Sequence, residues 1–173
     1  MKHPIVSSIK QIISNILTFP LRVHLALYTP STNELISKRQ RCKFSFSRRA
    51  YNDFLSRVAE IPMTVKMAGK VNFVHNSYGT VIHPYTTIGE GVKIYHNVTI
   101  GRGNIWEDSV QLEGFELKNY AVLCAGAKVI CSKGKLTIGE GTIIGANAVL
   151  TCSTGDYEIW AGVPAVRIGF RKH

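Results

Sequence analysis

The first side chains in this sequence that could do chemistry together are Glu60 and His75, fifteen residues apart. An imidazole titrates near neutral pH, so His75 could act as a general base. A carboxylate beside it would fix the tautomer of the ring and stabilise the imidazolium that forms when the base accepts a proton. A single histidine is also common as a surface or structural residue, so the hypothesis depends on a fold that brings the two together.

A period of six residues dominates the sequence after Glu60. Thirteen hexads start with an apolar residue, at Ile61, Met67, Phe73, Ile82, Ile88, Ile94, Ile100, Leu117, Leu123, Val129, Ile138, Ile144 and Leu150. Four positions after each starter stands a small or β-branched residue, except at Asn104 and Lys133. A short strand followed by a tight turn produces this period, whereas an ordinary β-sandwich would carry turn signals about every 8–12 residues.

Three such hexads make one triangular turn of a coil, with the starters pointing inward and stacking on the turn before. Glycine directly after a starter, as at Gly89 and Gly139, would accommodate backbone angles at the corners that a Cβ would strain. We therefore predict an all-β solenoid over residues 60–173, preceded over residues 1–59 by an N-terminal α-helical segment with a basic linker. Fifteen residues is close to one turn, so Glu60 and His75 would be near neighbours on adjacent turns.

The six-residue phase slips at three places, and slips in a solenoid mark loops where function tends to lie. Three extra residues, Gly79–Val81, separate the hexads of Phe73 and Ile82 next to His75, and three more lie near Gly134. Eleven extra residues separate the hexads of Ile100 and Leu117 and include Trp106. The first slip is the best pointer to a site.

The N-terminal segment carries an apolar stripe at helical spacing, formed by Ile5, Ile9, Ile12, Ile13, Ile16 and Leu17. Pro20 and Arg22 interrupt the apolar run before it is long enough to span a membrane, and no signal-peptide cleavage site follows. The helix could pack within the protein or against a trimer partner, or could lie on a membrane surface. The sequence predicts a connector over Tyr28–Arg49 and a short helix over Ser47–Ala59, with Ser47 as N-cap.

Charge and cysteine usage narrow the function classes further. The 173 residues include 21 Lys and Arg against 11 Asp and Glu, which gives a net charge of +10 and favours an anionic partner. No motif that reads nucleic acid accompanies this charge, so nucleic acid is not predicted. The four cysteines lack metal-like spacing, so we expect no metal and a reducing cytoplasm.

Several segments together resemble the serine acetyltransferase-like branch of the hexapeptide-repeat acyltransferases. They are Glu60–Pro62, His75, Gly79–Ile82, Ile94–Gly101, Ala125–Lys128 and the closing Ala161–Ala165. The resemblance extends from Glu60 to Phe170, about two-thirds of the chain. It implies a left-handed parallel β-helix, a homotrimer, and acetyl-CoA bound in the groove between neighbouring coils.

The same resemblance implies roles for individual residues. His75 would deprotonate the acceptor hydroxyl and Glu60 would support it, with direct attack on the thioester and no acyl-enzyme. The residues that would meet acetyl-CoA are Gly101, Ala125, Gly126, Lys128, Gly145, Ala146 and Arg167. Arg167 could equally belong to a solvated basic tail with Arg171 and Lys172.

Departures from the family pattern bear on the acceptor. Serine acetyltransferases carry an acidic residue directly before the catalytic histidine and an Arg-His pair in the following long loop. This chain has Val74 at the first position and no Arg or His over residues 104–116. Aromatic side chains suit a sugar, so the predicted acceptor is a carbohydrate, such as a capsular or exopolysaccharide unit or its precursor, contacted by Tyr78, His83, Tyr85, His96 and Trp106.

Two alternatives to carbohydrate O-acetylation stay open at this point. One is serine O-acetylation for cysteine biosynthesis, and the other is a non-catalytic trimeric scaffold. The basic linker and the amphipathic helix would allow peripheral contact with an anionic glycan or the inner face of a membrane.

Overall fold

The computed structural model describes residues 4–28, 30–107 and 111–172, with residues 4–10 described as backbone alone. The chain divides into two compact units, residues 1–57 and 58–173. The division falls two residues before the predicted boundary at 59/60. Glu60 therefore lies in the second unit, together with His75.

The described part of the first unit contains three helices, α1 (Pro4–Tyr28), α2 (Thr32–Arg41) and α3 (Ser45–Leu55). The helical N-terminal segment is confirmed, and α1 continues through Pro20 to Tyr28. No helix in the described part of the chain is both long enough and apolar enough to cross a membrane.

The prediction of a connector over Tyr28–Arg49 is wrong, because α2 occupies its middle. Ser31 caps this helix, its hydroxyl accepting a hydrogen bond from the backbone N–H of Glu34 at 3.2 Å. The Glu34 carboxylate also pairs with Lys38 one turn on, at 2.6 Å. Leu35 and Ile36 are buried. The many basic residues of this segment suggested a connector, although Ser31 caps a helix there and Leu35 and Ile36 bury its apolar side.

The boundaries predicted for the next helix also need correction. α3 begins at Ser45 and ends at Leu55, so Ser47 lies inside it rather than at its N-cap. Phe44 occupies the N-cap and makes no side-chain capping bond. The buried residues Ala50, Phe54 and Leu55 set the length of the helix, since burial of that face outweighs the capping preference of a serine.

Within its described residues, the second unit contains fourteen short strands. They are β1 (Lys66–Met67), β2 (Asn72–Phe73), β3 (Val81–Ile82), β4 (Thr86–Ile88), β5 (Lys93–Ile94), β6 (Thr99–Arg102), β7 (Leu112–Leu117), β8 (Val122–Leu123), β9 (Lys128–Cys131), β10 (Gly134–Ile138), β11 (Ile143–Ile144), β12 (Val149–Leu150), β13 (Glu158–Gly162) and β14 (Ala165–Phe170). The predicted parallel strands are confirmed over β1 to β13, whereas β14 returns antiparallel to β13.

Successive strands pass through three sheets in turn. The sheet orders are β1-β4-β7-β10, β2-β5-β8-β11-β13-β14 and β3-β6-β9-β12. Among β1 to β12, each strand therefore pairs with the strand three places away along the chain, which is the topology of a three-sided coil. The first twelve strands make four turns of it.

Three columns of apolar residues fill the interior of this coil. The columns in register are Met67, Ile88, Leu117 and Ile138; Phe73, Ile94, Leu123 and Ile144; and Ile82, Ile100, Val129 and Leu150. All of these residues except Met67 are buried. One apolar residue per side and per turn is thus the physical origin of the six-residue period.

Glycines in the coil serve two different needs. Gly126 has a φ of +72°, and a Cβ there would approach Asn147 Oδ1 to 2.0 Å. Gly139, which follows a hexad starter, lacks a positive φ but lies so close to the next turn that a Cβ would come within 1.9 Å of the Gly155 carbonyl oxygen. The expectation that glycine after a starter relieves backbone angles is therefore wrong, because close approach between turns requires it there.

The longest interruption of the six-residue period, between the hexads of Ile100 and Leu117, is partly a β-strand. β7 runs over Leu112–Leu117 and takes up much of the segment predicted as a loop over 104–116. Residues 103–107 and 111 flank the part of this connection that lies outside the described residues. Trp106, in the described stretch before this part, is 78% exposed.

Stacking in these columns predicts a matched difference between two isoleucines of the second unit. Ile144 is fully buried and Ile168 is 65% exposed. Ile144→Ala should lower the free energy of unfolding by about 2–5 kcal/mol, because it opens a cavity in a column. Ile168→Ala should cost less than about 0.5 kcal/mol. Chemical denaturation of both variants would measure this, and equal losses would contradict the stacked core.

Candidate active site

His75 lies at a corner of the coil, in the 3₁₀ turn Val74–Ser77 between β2 and β3. Its backbone is left-handed, with φ 52° and ψ 39°, and Asn76 and Ser77 also have positive φ. Such angles cost an L-residue about 1–3 kcal/mol and persist only when the surroundings fix them. The His75 side chain is exposed, so the corner presents the imidazole to solvent.

Buried hydroxyl groups hold this corner in place. The Ser77 hydroxyl donates to the Ile94 carbonyl at 2.8 Å, and the Thr80 hydroxyl donates to the Tyr95 carbonyl at 3.0 Å. Thr80 Oγ1 also accepts from the Val98 N–H at 3.2 Å. Both hydroxyl residues are fully buried. They tie the His75 corner to the following turn of the coil.

The following turn places two more rings against His75. The His96 ring lies edge-on at 5.7 Å between centroids, and the Tyr95 ring is tilted at 5.9 Å. His96 Nδ1 is buried and has no hydrogen-bond partner among the described residues. The two imidazoles form the centre of the candidate site, with unused hydrogen-bonding capacity on His96.

Glu60 reaches this part of the coil through its backbone. It forms a parallel bridge with Val81, its N–H donating to the Thr80 carbonyl at 2.8 Å while its carbonyl accepts from Ile82 at 2.9 Å. Within the described residues, no hydrogen bond or ion pair joins the Glu60 carboxylate to His75. The two residues therefore lie on adjoining segments, and the proposed carboxylate–imidazole pair stays a prediction.

His83 belongs to the next corner rather than to the His75 cluster. Its ring contacts Tyr85 at 5.3 Å and Phe115 at 5.5 Å, and its Nδ1 accepts from the Tyr85 N–H at 3.2 Å. Burial, together with the positive charge of Arg102, lowers the pKa of His83. The ring is therefore neutral at neutral pH and carries its proton on Nε2.

Several predicted acetyl-CoA contacts lie one turn beyond His96. The Gly126 N–H donates to the His96 carbonyl at 3.0 Å, and Lys128 Nζ donates to the Asn97 carbonyl at 2.7 Å. The Ala125 carbonyl accepts from the Asn147 N–H, and Gly101 of β6 pairs with Ile130 of the neighbouring strand β9. Gly145 and the exposed Ala146 lie one turn further along.

Arg167 stands apart from these residues, in a cluster with Glu158. Its guanidinium pairs with Glu158 Oε1 at 2.8 Å and lies over the Phe170 ring at 4.9 Å. Glu158 Oε2 accepts from Trp160 Nε1 and from the Gly155 N–H, both at 2.8 Å. Arg167 thus ties β14 to β13. Sequence reasoning missed Glu158, whose signal was a carboxylate nine residues before an arginine across the closing hairpin.

The aromatic residues predicted to contact a sugar do not gather. Trp106 and Tyr78 are exposed, and Tyr85 is occupied with His83. No ring contact joins these three aromatic residues in the part of the chain that the structure describes. The described residues therefore show no ring contacts that would join these side chains into the aromatic platform expected for a carbohydrate acceptor.

Comparison with known proteins points to one group of enzymes. No protein-family model matches the chain. It is 32% identical over 96 residues to the serine acetyltransferase of Bacillus subtilis and 34% identical over 101 residues to that of Staphylococcus aureus. Each match covers 56% of this chain and 42% of the relative. The chain thus spans about two-fifths of the length of these relatives.

Solved structures show the same fold. A serine acetyltransferase from Brucella abortus superposes with a TM-score of 0.59 at 20% identity, covering 82% of this chain and 54% of that one. The enzyme from Vibrio cholerae gives 0.61 at 22% identity, covering 82% and 52%. A further Brucella abortus structure is a complex with coenzyme A, with a TM-score of 0.60 at 20% identity, covering 82% and 53%.

These comparisons support the resemblance to hexapeptide-repeat acyltransferases and correct the expected acceptor. The relatives are named serine acetyltransferases, so carbohydrate O-acetylation as the main expectation is wrong. The expectation rested on Val74, on the composition of the following loop and on scattered aromatic residues. None of these outweighs similarity along the coil.

The Glu158 cluster generates a prediction about acid stability. Burial acts to raise the pKa of Glu158, but hydrogen bonds from Arg167, Trp160 and Gly155 outweigh it and hold the pKa below its usual value. The carboxylate therefore stabilises the fold above its unfolded pKa of about 4.3, and this contribution disappears as pH falls through the folded pKa.

Glu158→Gln should cost about 1–3 kcal/mol of unfolding free energy at neutral pH, and the difference from wild type should shrink on acidification. Glu113 is exposed, so Glu113→Gln serves as the matched control and should differ little at either pH. Denaturant titrations across the acidic range measure both. A Glu158→Gln deficit that persists unchanged at low pH would contradict a stabilising carboxylate.

Proposed function

We propose that this chain is an acetyl-CoA-dependent O-acetyltransferase whose acceptor is the hydroxyl of serine. Its relatives are named serine acetyltransferases, and one solved neighbour is a complex with coenzyme A. The observation that carries the proposal is His75, exposed at a left-handed corner that buried hydroxyl groups of the coil hold in place.

The reaction needs one base and no covalent intermediate on the protein. His75 removes the proton of the serine hydroxyl while the oxygen attacks the thioester carbonyl of acetyl-CoA. The tetrahedral intermediate then collapses, the carbon–sulfur bond breaks, and the CoA sulfur takes the proton from the His75 imidazolium. The products are O-acetylserine and CoA, and the imidazole returns to its neutral form.

Glu60 would act in this step as a positioning residue. A carboxylate that approached the imidazolium would stabilise the charge developing on His75. The backbone hydrogen bonds of Glu60 to Thr80 and Ile82 keep it on the segment beside the His75 corner. Hydrogen bonds of a catalytic pair are often long without substrate and shorten in the complex.

The acetyl-CoA arm would lie along the turns that follow His96. Gly126 and Lys128 are bonded to the His96–Asn97 corner, which brings a small residue and a cation near the proposed base. The Lys128 ammonium would exchange the Asn97 carbonyl for a phosphate of CoA. Arg167 is engaged with Glu158, so it contributes less to this role than the sequence suggests.

The assembly and the hand of the coil follow the family resemblance in this proposal. We expect a homotrimer of left-handed coils, with the His75 corner beside a neighbouring subunit. A cytoplasmic location stays a prediction from the cysteine usage.

Replacing His75 tests the general base, and the choice of substitute matters. Asparagine adopts a left-handed backbone more readily than alanine, so His75→Asn keeps the corner while it removes the base. With acetyl-CoA and serine, the variant should release CoA about 10²–10⁴ times more slowly than wild type. Detection of the free thiol measures this rate.

His24 lies in the other unit, so His24→Asn is the matched control and should keep wild-type activity. Wild-type rates in His75→Asn would remove His75 from its role. A parent protein with no turnover on serine would contradict the whole proposal and favour a scaffold.

The two departures from the family pattern make acceptor analogues informative. Serine carries an ammonium and a carboxylate, and Val74 cannot pair with the ammonium. If other groups of the site recognise both charges, ethanolamine and 3-hydroxypropionate should each react at least about tenfold more slowly than serine, as loss of one charged hydrogen bond implies. Equal rates for the three acceptors would contradict a site selective for serine.

A further inference from the structure

The first unit presents an apolar helix face that its own helices leave uncovered. Seven isoleucine, leucine, valine and phenylalanine side chains among the described residues of α1 are between 41% and 83% exposed, namely Ile12, Ile13, Ile16, Leu17, Phe19, Val23 and Leu27. Ile12, Ile16, Phe19, Val23 and Leu27 are spaced by three or four residues, so they lie along one side of the helix. We call these seven residues the α1 apolar face.

The polar side of α1, rather than the apolar face, packs against α3. Arg22 pairs with Asp53 at 2.5 Å, and Arg49 donates to Gln11 Oε1 at 2.9 Å. Thr18 and Leu25, on that same side, are each only 1% exposed. The helix is thus oriented opposite to a normal surface helix, whose apolar side faces the core.

Charge is concentrated in the same unit. Residues 1–57 hold ten of the 21 basic residues of the chain but only two of its 11 acidic ones. Both of these carboxylates are already paired, Glu34 with Lys38 and Asp53 with Arg22. Arg41, Lys43, Arg48, Arg49 and Arg57 are exposed, so the unit presents an uncompensated positive surface.

Basic and aromatic groups border the α1 apolar face. A groove of about 330 Å³ between α1 and α3 is lined by Ile13, Ser14, Leu17, Ser45, Phe46 and Arg49. Phe44 is 64% exposed, stacks on Phe46, and follows Lys43 directly. Apolar side chains, an aromatic edge and cations therefore occur together at one side of the unit.

We propose that the first unit docks on the surface of an anionic lipid bilayer through the α1 apolar face. An amphipathic helix lying in the interface inserts its apolar side among the acyl chains, and nearby Lys and Arg attract the anionic headgroups. With 25 residues, α1 would lie flat over about 37 Å of membrane surface. A second copy of the chain would have to meet the same concentration of positive charge, which disfavours it as the occupant.

Vesicle sedimentation with the full chain tests this proposal. Wild type should pellet with vesicles of mixed phosphatidylglycerol and phosphatidylcholine, much less with phosphatidylcholine alone, and less at high salt. The double variant Ile16→Lys with Leu27→Lys should bind the anionic vesicles at least about tenfold more weakly, although its net charge is higher.

The matched control places the same substitutions at exposed isoleucines of the second unit. Ile105→Lys with Ile168→Lys should bind as tightly as wild type or more tightly, since those residues are 75% and 65% exposed and lie outside the first unit. Circular dichroism of both double variants would verify that the helices are retained.

Three outcomes would overturn the proposal. They are no binding of wild type to anionic vesicles, equal binding of wild type and the α1 double variant, or equal binding to neutral and anionic vesicles. Sedimentation velocity on the same samples reads the alternative occupant directly. If the α1 double variant forms smaller assemblies than wild type, and wild type does not bind vesicles, a second copy covers the α1 apolar face.

Discussion

The stacking of one apolar residue per side and per turn is the constraint on which the second unit depends. Each starter, such as Ile94, is in register with the starter one turn before and one turn after. Because side chains in a strand alternate between the two faces, a slip of one residue in a strand would turn its starter out of the column. The register therefore fixes where every corner lies, and with it the position of any side chain on a corner.

The corner at His75 shows how this constraint serves chemistry. Three consecutive residues there have positive φ, an arrangement that local preference disfavours. The buried hydroxyl groups of Ser77 and Thr80 satisfy carbonyls of the following turn and so hold the left-handed backbone. The resulting exposed imidazole sits against His96 of that turn, so packing of the core determines the geometry of the site.

Much of the coil could be predicted from the sequence because its period reflects backbone geometry directly. Other features could not, since they depend on contacts between distant residues. The need for glycine at Gly139 arises from the Gly155 carbonyl on the next turn, and the pairing of Arg167 with Glu158 arises from an antiparallel hairpin. α2 was missed because its capping by Ser31 and its buried Leu35 were hidden among basic residues.

For the candidate site too, some features can be predicted from the sequence and others depend on the fold. The position of His75 at a corner follows from its place in the hexad, whereas the neighbouring His96 ring becomes evident only when two turns are stacked. The acceptor cannot be predicted from single aromatic residues, because they indicate a sugar site only when the fold brings their rings together. Among the described residues, Trp106, Tyr78 and Tyr85 make no ring contact with one another, and the relatives are named serine acetyltransferases.

Direct transfer at the His75 corner is the central claim, and mass spectrometry of a single turnover tests it most directly. Excess protein would be mixed with acetyl-CoA and serine, and the masses of the intact protein and of the small molecules would be measured at successive times. The account predicts O-acetylserine and free CoA, with the protein mass unchanged throughout. An acetyl group that appears first on the protein, or serine that stays unmodified while acetyl-CoA persists, would contradict it.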